Sequence, residues 1–330
     1  MRPSLFVILF LYSTLIKAQS LNSCDYSVLF YNVENLFDNQ HDSLKNDTEF
    51  LYTGSKKWST SRMYQKINGI SKVILASNGW NTPSIIGLCE IENAFVLKQL
   101  IYHTGLNHLS YGYIHYESPD QRGIDVAFLY KKNDFSILSS RPICYSDPSE
   151  HFFTRDALYV KGVMQQTDTL HVFVNHWPSK RGGELASEHK RIKVARYISA
   201  AIDSVQSSNP QSKILVMGDF NADYDSPSVQ IIVKQNNLSS ILQAKHIANK
   251  PVAGSYKYQG QWALIDHILV SDHWAKNETL THQIVTLPFL LTKDSNHSGV
   301  KPKRTYAGPN YIGGISDHLP VLISVQRFKK

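Results

Sequence analysis

The chain carries a series of short apolar runs, and most of them close on a polar residue. Residues 26–32 end in Asn32, residues 84–89 run into Glu90, and residues 170–175 precede His176. Ile214-Leu215-Val216-Met217 leads into Gly218, Asp219 and Asn221. Runs of this length with β-branched content predict strands, and those with no polar alternation predict strands buried on both faces. Residues 264–270 and 321–325 predict two more. Residues 157–163 and 170–175 predict a hairpin around Gln165 to Asp168. Residues 122–130 predict a strand with an acid near its start, Asp125, for which Arg122 is one available partner. Between these runs the period changes. Ile67, Ile70, Val73 and Ile74 fall at helical spacing within 62–76. Further helices are predicted at 93–103, 184–205 and 227–236. Strands thus alternate with helices in part of the chain and with hairpins elsewhere. The expected fold is α/β, a four-layer sandwich of two packed mixed β-sheets flanked by helices. The loop-like stretches 38–60, 111–123 and 293–313 are each flanked by motif-bearing strands, so none reads as a linker. The apolar stretch 287–291 reads as core or a short strand.

The N-terminus has a different pattern. Arg2 precedes an apolar run from Leu5 to Tyr12, followed by Lys17-Ala18-Gln19. A positive start, a short apolar run and a small residue describe a secretory signal peptide over 1–18, cleaved after Ala18. The expected domain is then 19–330, secreted or periplasmic. The run is too short for a comfortable membrane span, and no later stretch is apolar enough, so no stable membrane insertion is expected. The chain is expected to be a monomer. Three cysteines, Cys24, Cys89 and Cys144, show no paired-ligand spacing. At most one disulfide can form, Cys24 with Cys144 being one pairing open to it, and Cys89 reads as a buried thiol. Net charge is +7, a mild excess that falls with loss of Arg2 and Lys17 and permits a polyanionic partner.

Candidate chemistry lies at the strand ends: Asn32, Glu90, His176, Asp219, Asn221, Asp266, Asp317 and His318. Loops at one end of a sheet carry the site in such folds. Asp219 and Asn221 share side-chain parity on an extended chain, so both can address one object. Gly218 allows a close backbone approach. The set does not suit zinc, because the cysteines are not placed as ligands and no close histidine pair occurs. It suits a magnesium-type phosphoester site. Carboxylates hold the metal, amides and a histidine hold the phosphate, and a His–Asp pair activates water.

These pieces also fall into a known order. "YNVENLFD" around Asn32, "GLCEIEN" around Glu90, "VNHWPS" around His176, "GDFNAD" at 218–223, "LIDHILVS" at 264–271 and "GGISDHLPV" at 313–321 resemble the endonuclease/exonuclease/phosphatase superfamily. Together with "GSKKW" at 54–58 they look like a secreted bacterial, pancreatic-deoxyribonuclease-like branch of it. The resemblance implies Glu90 as main metal ligand, supported by Asn32 and with Asp317 near the metal. It implies Asp219 and Asn221 on the attacking water and the phosphate. His318 would be base or phosphate donor, oriented by Asp266, and His176 would join the catalytic set. The implied cofactor is Mg²⁺, with Mn²⁺ or Ca²⁺ as alternatives. Glu34, Glu92 and Asp223 stay outside this set.

Three functions compete. The first is an endonuclease on DNA or RNA. The second is a phosphatase or phosphodiesterase on lipid or inositol head groups. The third is a binding module on a degenerate version of the fold. A nuclease needs basic residues along a groove, and a lipid enzyme needs an apolar rim. Lys180 and Arg181 follow His176, and Lys301, Lys303 and Arg304 precede Asp317. These five are the expected contacts to a nucleic-acid backbone, which makes nucleic acid the expected substrate.

Overall fold

The apolar runs become strands because each can bury both of its faces. The computed structural model describes residues 25–145, 152–180 and 182–327. The first half contains β1 (Tyr26–Leu36), α1 (Thr60–Ala76), β2 (Ile85–Ile91), α2 (Ala94–Tyr102), β3 (Tyr111–His115) and β4 (Asp125–Lys131). β5 (Phe135–Ile143), β6 (Ala157–Met164), β7 (Asp168–His176), α3 (Glu184–Ser208), β8 (Lys213–Asp219) and α4 (Pro227–Gln235) follow. Then come β9 (Leu238–Ser240), β10 (Tyr256–Tyr258), β11 (Gln261–Ala263), β12 (Asp266–Ser271), α5 (Asp272–Asn277) and β13 (Glu278–Ile284). The chain closes with β14 (Leu291–Lys293), β15 (Val300–Pro302), β16 (Tyr306–Ala307), β17 (Asn310–Tyr311) and β18 (Val321–Arg327).

Two six-stranded sheets form, in the orders β13-β18-β1-β2-β4-β3 and β5-β6-β7-β8-β12-β9. Each contains one parallel pair, β1 with β2 and β7 with β8, and antiparallel pairs elsewhere. Each parallel pair is joined through a long helix, α1 or α3, as a parallel crossover requires. Alternation along the strands then builds the layers. Val28, Phe30, Phe128, Val172, Val174 and Met217 share the core between the sheets. The next residues along, Leu29, Tyr31, Ile86 and Leu88, pack outward with Ile67, Ile70 and Ile74 of α1. Phe173, Ile214 and Val216 do the same on the other side with Val194, Ile198 and Ile202 of α3. Each such side chain, fully buried, contributes roughly 1.5–3 kcal/mol. The result is the expected four-layer sandwich.

Three long strands escape the patterning. β3, β5 and β13 all sit at sheet edges. They pair on one side and keep many half-exposed positions, so no unbroken apolar run marks them. β4 begins at Asp125, which leaves Arg122 in the preceding turn. Residues 287–291 form a short 3₁₀ turn with Leu290 buried, leading into β14. Among the described residues no helix is long and apolar enough to cross a membrane. The predicted leader 1–18, Cys24 and Arg181 lie outside the described residues. Cys89 is buried, and the Cys144 thiol donates to Asp156 Oδ2 at 3.1 Å.

Candidate active site

Topology gathers the polar strand ends. Parallel β1 and β2 bring Asn32 beside Glu90, and parallel β7 and β8 pair His176 with Asp219. β12 runs antiparallel to β8 and sets Asp266 opposite Asp219. β18 runs antiparallel to β1, so Asp317 and His318 arrive at the same end just before it starts. The close approach at Gly218 is to β7: a Cβ there would lie 2.5 Å from the Asn175 carbonyl oxygen. Only glycine permits that spacing, and with it the His176–Asp219 pairing.

The backbone bends where the site forms. Pairing of β1 with β2 shifts register after Asn32, and pairing of β2 with β4 shifts after Cys89. Glu34, Asn35, Glu90 and Asn221 hold φ of 51°, 55°, 63° and 48°. Non-glycine residues in this region are strained, and bulges of this kind re-aim side chains. Here they turn Glu34 and Glu90 into one cavity of about 770 Å³. Glu90 Oε2 accepts from Asn35 N at 2.7 Å, and Oε1 stands 3.9 Å from His176 Nε2. Glu34, outside the sequence-derived set, is buried in the cavity wall and accepts from Thr305 N at 2.7 Å and Arg304 Nε at 3.3 Å. Arg304 Nη2 also donates to Asp317 Oδ2 at 3.0 Å.

At the centre, His318 Nδ1 and Asp266 Oδ2 are 2.7 Å apart, and His318 Nε2 stands 3.8 Å from Asp219 Oδ2. Asn32 Nδ2 donates to that same Asp219 oxygen at 3.0 Å, and Asn221 N donates to Asp219 Oδ1 at 2.9 Å. The Asn221 side chain donates to the Trp177 carbonyl at 3.1 Å. Burial pushes the Asp219 carboxyl up to about 7, aided by Asp266 and opposed by His318. Burial alone would lower His318, but Asp266, Asp219 and Asp317 overrule it and hold the ring well above the usual imidazole value. His176 is driven well below that value by burial and by Arg155 and Arg122. The two rings are thus pushed in opposite directions, His318 towards the cationic form and His176 towards the neutral one.

Two arginines at the site were not among the sequence-derived site residues. Buried Arg155 donates to Asp120 Oδ2 at 3.0 Å and to the carbonyls of His176 and Trp177. Arg122 does not pair with Asp125. Its Nη2 bonds Asn35 Oδ1 at 2.7 Å and lies 3.9 Å from Glu90, because the turn before β4 aims it into the cavity.

Four of the five expected groove cations lie among the described residues. Lys180 reaches the cavity but is paired to Glu184 at 2.8 Å and lies 3.7 Å from Asp223. Lys301 is drawn to Asp294 at 3.3 Å by the β14–β15 hairpin. Lys303 lines a separate surface cleft with Phe289 and Ile315. Arg304 serves Glu34 and Asp317, so its charge is spent within the site. Six carboxylates, Glu34, Glu90, Glu184, Asp219, Asp223 and Asp317, thus face the cavity together with Arg122, Lys180 and His318, and Arg304 is bonded to two of them, Glu34 and Asp317. A hard-oxygen donor set with this charge fits a divalent cation, and it would repel a phosphate without one. Glu90, Asn32, Asp317 and Glu34 are the residues that could hold it.

The comparisons bear on the family and the fold. The family model described as Endonuclease/Exonuclease/phosphatase family matches residues 27–327. An endonuclease/exonuclease/phosphatase family protein from Bacteroides thetaiotaomicron has a similar structure, with TM-score 0.60 and 19% identity over 91% of this chain and 97% of that one. A mannosyl-6-phosphatase from the same organism gives TM-score 0.58 and 17% identity over 91% of this chain and 99% of that one. The human Nocturnin catalytic domain with bound sulfate gives 0.57 and 15% over 92% and 94%. Comparison with curated protein sequences finds no match. With a family match spanning nearly all the described residues, the chain belongs to the endonuclease/exonuclease/phosphatase family of phosphoester hydrolases.

Proposed function

We propose that the protein is a divalent-metal-dependent phosphodiesterase acting on nucleic acid, with Asp219 and His318 handling the protons and the charge. The observation that carries this reading is the His318–Asp266 contact at 2.7 Å, set 3.8 Å from Asp219 in a carboxylate-walled cavity. A carboxyl poised near 7 suits a general base at neutral pH. Asp219 takes a proton from the attacking water. The water oxygen bonds to phosphorus, and the ester oxygen leaves as an alcohol after taking a proton from solvent. His318, kept cationic by Asp266, donates to a non-bridging oxygen as negative charge grows there. Asn221 adds an amide donor, and Arg122 supplies a guanidinium able to grip phosphate. Mg²⁺, Mn²⁺ or Ca²⁺, when bound at Glu90 with Asn32, Asp317 and Glu34, would neutralise the phosphate and the carboxylate wall.

Among the described residues few cations at the rim are unpaired, so the substrate is gripped locally rather than along a long duplex. Tyr256, Tyr258 and Trp262 line one side of the cavity and offer faces on which unpaired bases stack. Single-stranded nucleic acid is therefore the favoured form. The same scarcity of cations favours one second reading, hydrolysis of a sugar or inositol phosphate, in keeping with the similar fold of a mannosyl-6-phosphatase. The test is a panel of single- and double-stranded DNA, RNA, sphingomyelin, inositol phosphates and sugar phosphates. Each is incubated with Mg²⁺, Mn²⁺, Ca²⁺ or chelator. Metal-dependent cleavage of single strands is expected. Turnover of the small phosphates alone selects the second reading, and no turnover of any phosphoester overturns both. Export is part of the proposal and rests on residues 1–18. N-terminal sequencing of the exported protein should start near Gln19, and a retained Met1 would contradict it.

A further inference from the structure

A second cluster of donors lies where β3 ends and β4 begins. His115 closes β3, Asp125 opens β4, and Glu117 follows in the turn between them. One donor atom from each lies within 4.8 Å of the others. His115 Nε2 is 3.6 Å from Asp125 Oδ2, and His115 Nδ1 is 3.9 Å from Glu117 Oε1. Asp125 is 1% exposed, yet among the described residues neither of its carboxylate oxygens has a hydrogen-bond partner, and nor has His115 Nε2. A carboxylate sealed from water without a donor is strongly disfavoured, so something must compensate it. The histidine does not do so as a hydrogen bond, because 3.6 Å is too long. The gap does match two ligands on one cation. Donors about 2.1 Å from a tetrahedral metal stand roughly 3.4 Å apart.

We propose that His115, Asp125 and Glu117 form a second metal site, separate from the phosphoester centre, and that it takes Zn²⁺. One imidazole with two carboxylates suits a borderline-soft ion, whereas Mg²⁺ and Ca²⁺ favour oxygen-only sets. Glu117 is more than half exposed and free to close onto the ion as third ligand, with water as fourth. The site pins the base of the turn 116–124. That turn carries Asp120, the partner of Arg155, and Arg122, which enters the catalytic cavity. Zinc here would hold Arg122 in place without touching substrate.

The experiment is Zn²⁺ titration calorimetry on the chelator-stripped full chain in saturating Mg²⁺. Wild type, Glu90→Gln, Glu117→Gln and Asp125→Asn are compared, with circular dichroism confirming the fold. Glu117 is exposed, so its variant keeps the test alive if Asp125→Asn fails to fold. Wild type and Glu90→Gln should bind one equivalent with similar affinity. Glu117→Gln and Asp125→Asn should bind at least ~10-fold more weakly, the least that loss of even an indirect metal partner costs. Equal affinity in wild type, Glu117→Gln and Asp125→Asn would overturn the site. So would a wild type whose only Zn²⁺ disappears with Glu90→Gln. Either result would leave only a buried His115–Asp125 contact.

Discussion

His318 and Asp219 resolve one electrostatic problem between them. Two buried carboxylates, Asp219 and Asp266, sit on neighbouring strands, and one imidazolium lies within reach of both. The ring keeps its proton because Asp266 and Asp219 outweigh the cost of burying it. Asp219 is left near 7, within range of both forms at neutral pH. Asp266→Asn removes the charge that holds the proton on His318. Single-turnover hydrolysis should fall ~10²–10⁴-fold, the scale of a general acid–base contribution. His318→Ala should abolish turnover, and the double variant should be little worse, because the pair acts as a unit. A double-mutant cycle at saturating Mg²⁺ reads this directly. Additive losses would mean that Asp266 acts elsewhere, for instance on a metal. The central polar residues were legible in the sequence because each stands at one end of an apolar strand, in family order. The division of protonation among them was not, since it depends on burial and on distances across strands far apart in sequence.

At the scale of elements, the site depends on what ties the β3–β4 turn to the end of β7. Arg155 is that tie, bonding Asp120 on one side and the His176 and Trp177 carbonyls on the other. Arg155→Met leaves Asp120 buried without its counter-charge, which should cost about 3–5 kcal/mol in denaturant unfolding. Adding Asp120→Leu should recover part of that loss, and no recovery would mean that the carbonyl contacts carry the effect. No motif marks Arg155 or Arg122: Arg155 gains its role only when the β3–β4 turn of one sheet meets the end of β7 in the other, and Arg122 only when the turn before β4 meets the ends of β1 and β2. The opposite holds for Lys301. It reads as a groove cation in the sequence, and the β14–β15 hairpin then hands it to Asp294. Edge strands β3, β5 and β13 were equally hidden, for want of a second covered face. The central strands were readable because two covered faces demand unbroken apolar runs.

At the scale of the whole molecule, stability and activity respond to different groups. Burial, with help from Lys161, pushes His171 down to about 4, and its Nδ1 lies 2.8 Å from the Tyr159 hydroxyl. In the unfolded chain the ring titrates near 6.5. Between those values the unfolded state binds more protons, so stability is intact above about 6.5 and falls as pH drops towards 4. The slope is at most about 1.4 kcal/mol per pH unit for one proton, and less because the ring is partly solvated. Urea unfolding of His171→Gln should show a shallower fall over this window, and parallel curves would assign the acid loss to other groups. The proposed activity rests instead on the acidic cavity and the cation proposed to bind there. The most direct measurement is an Mg²⁺ titration of phosphoester hydrolysis by wild type and Glu90→Gln, with the fold checked in both. Glu90 stands between the Asn35 amide and His176 at the cavity wall, where an amide is a far weaker ligand for a hard cation. Glu90→Gln should show strongly reduced turnover that recovers only at much higher Mg²⁺, while chelator silences wild type. Superimposable Mg²⁺ curves, or wild-type turnover that survives chelator, would contradict the account.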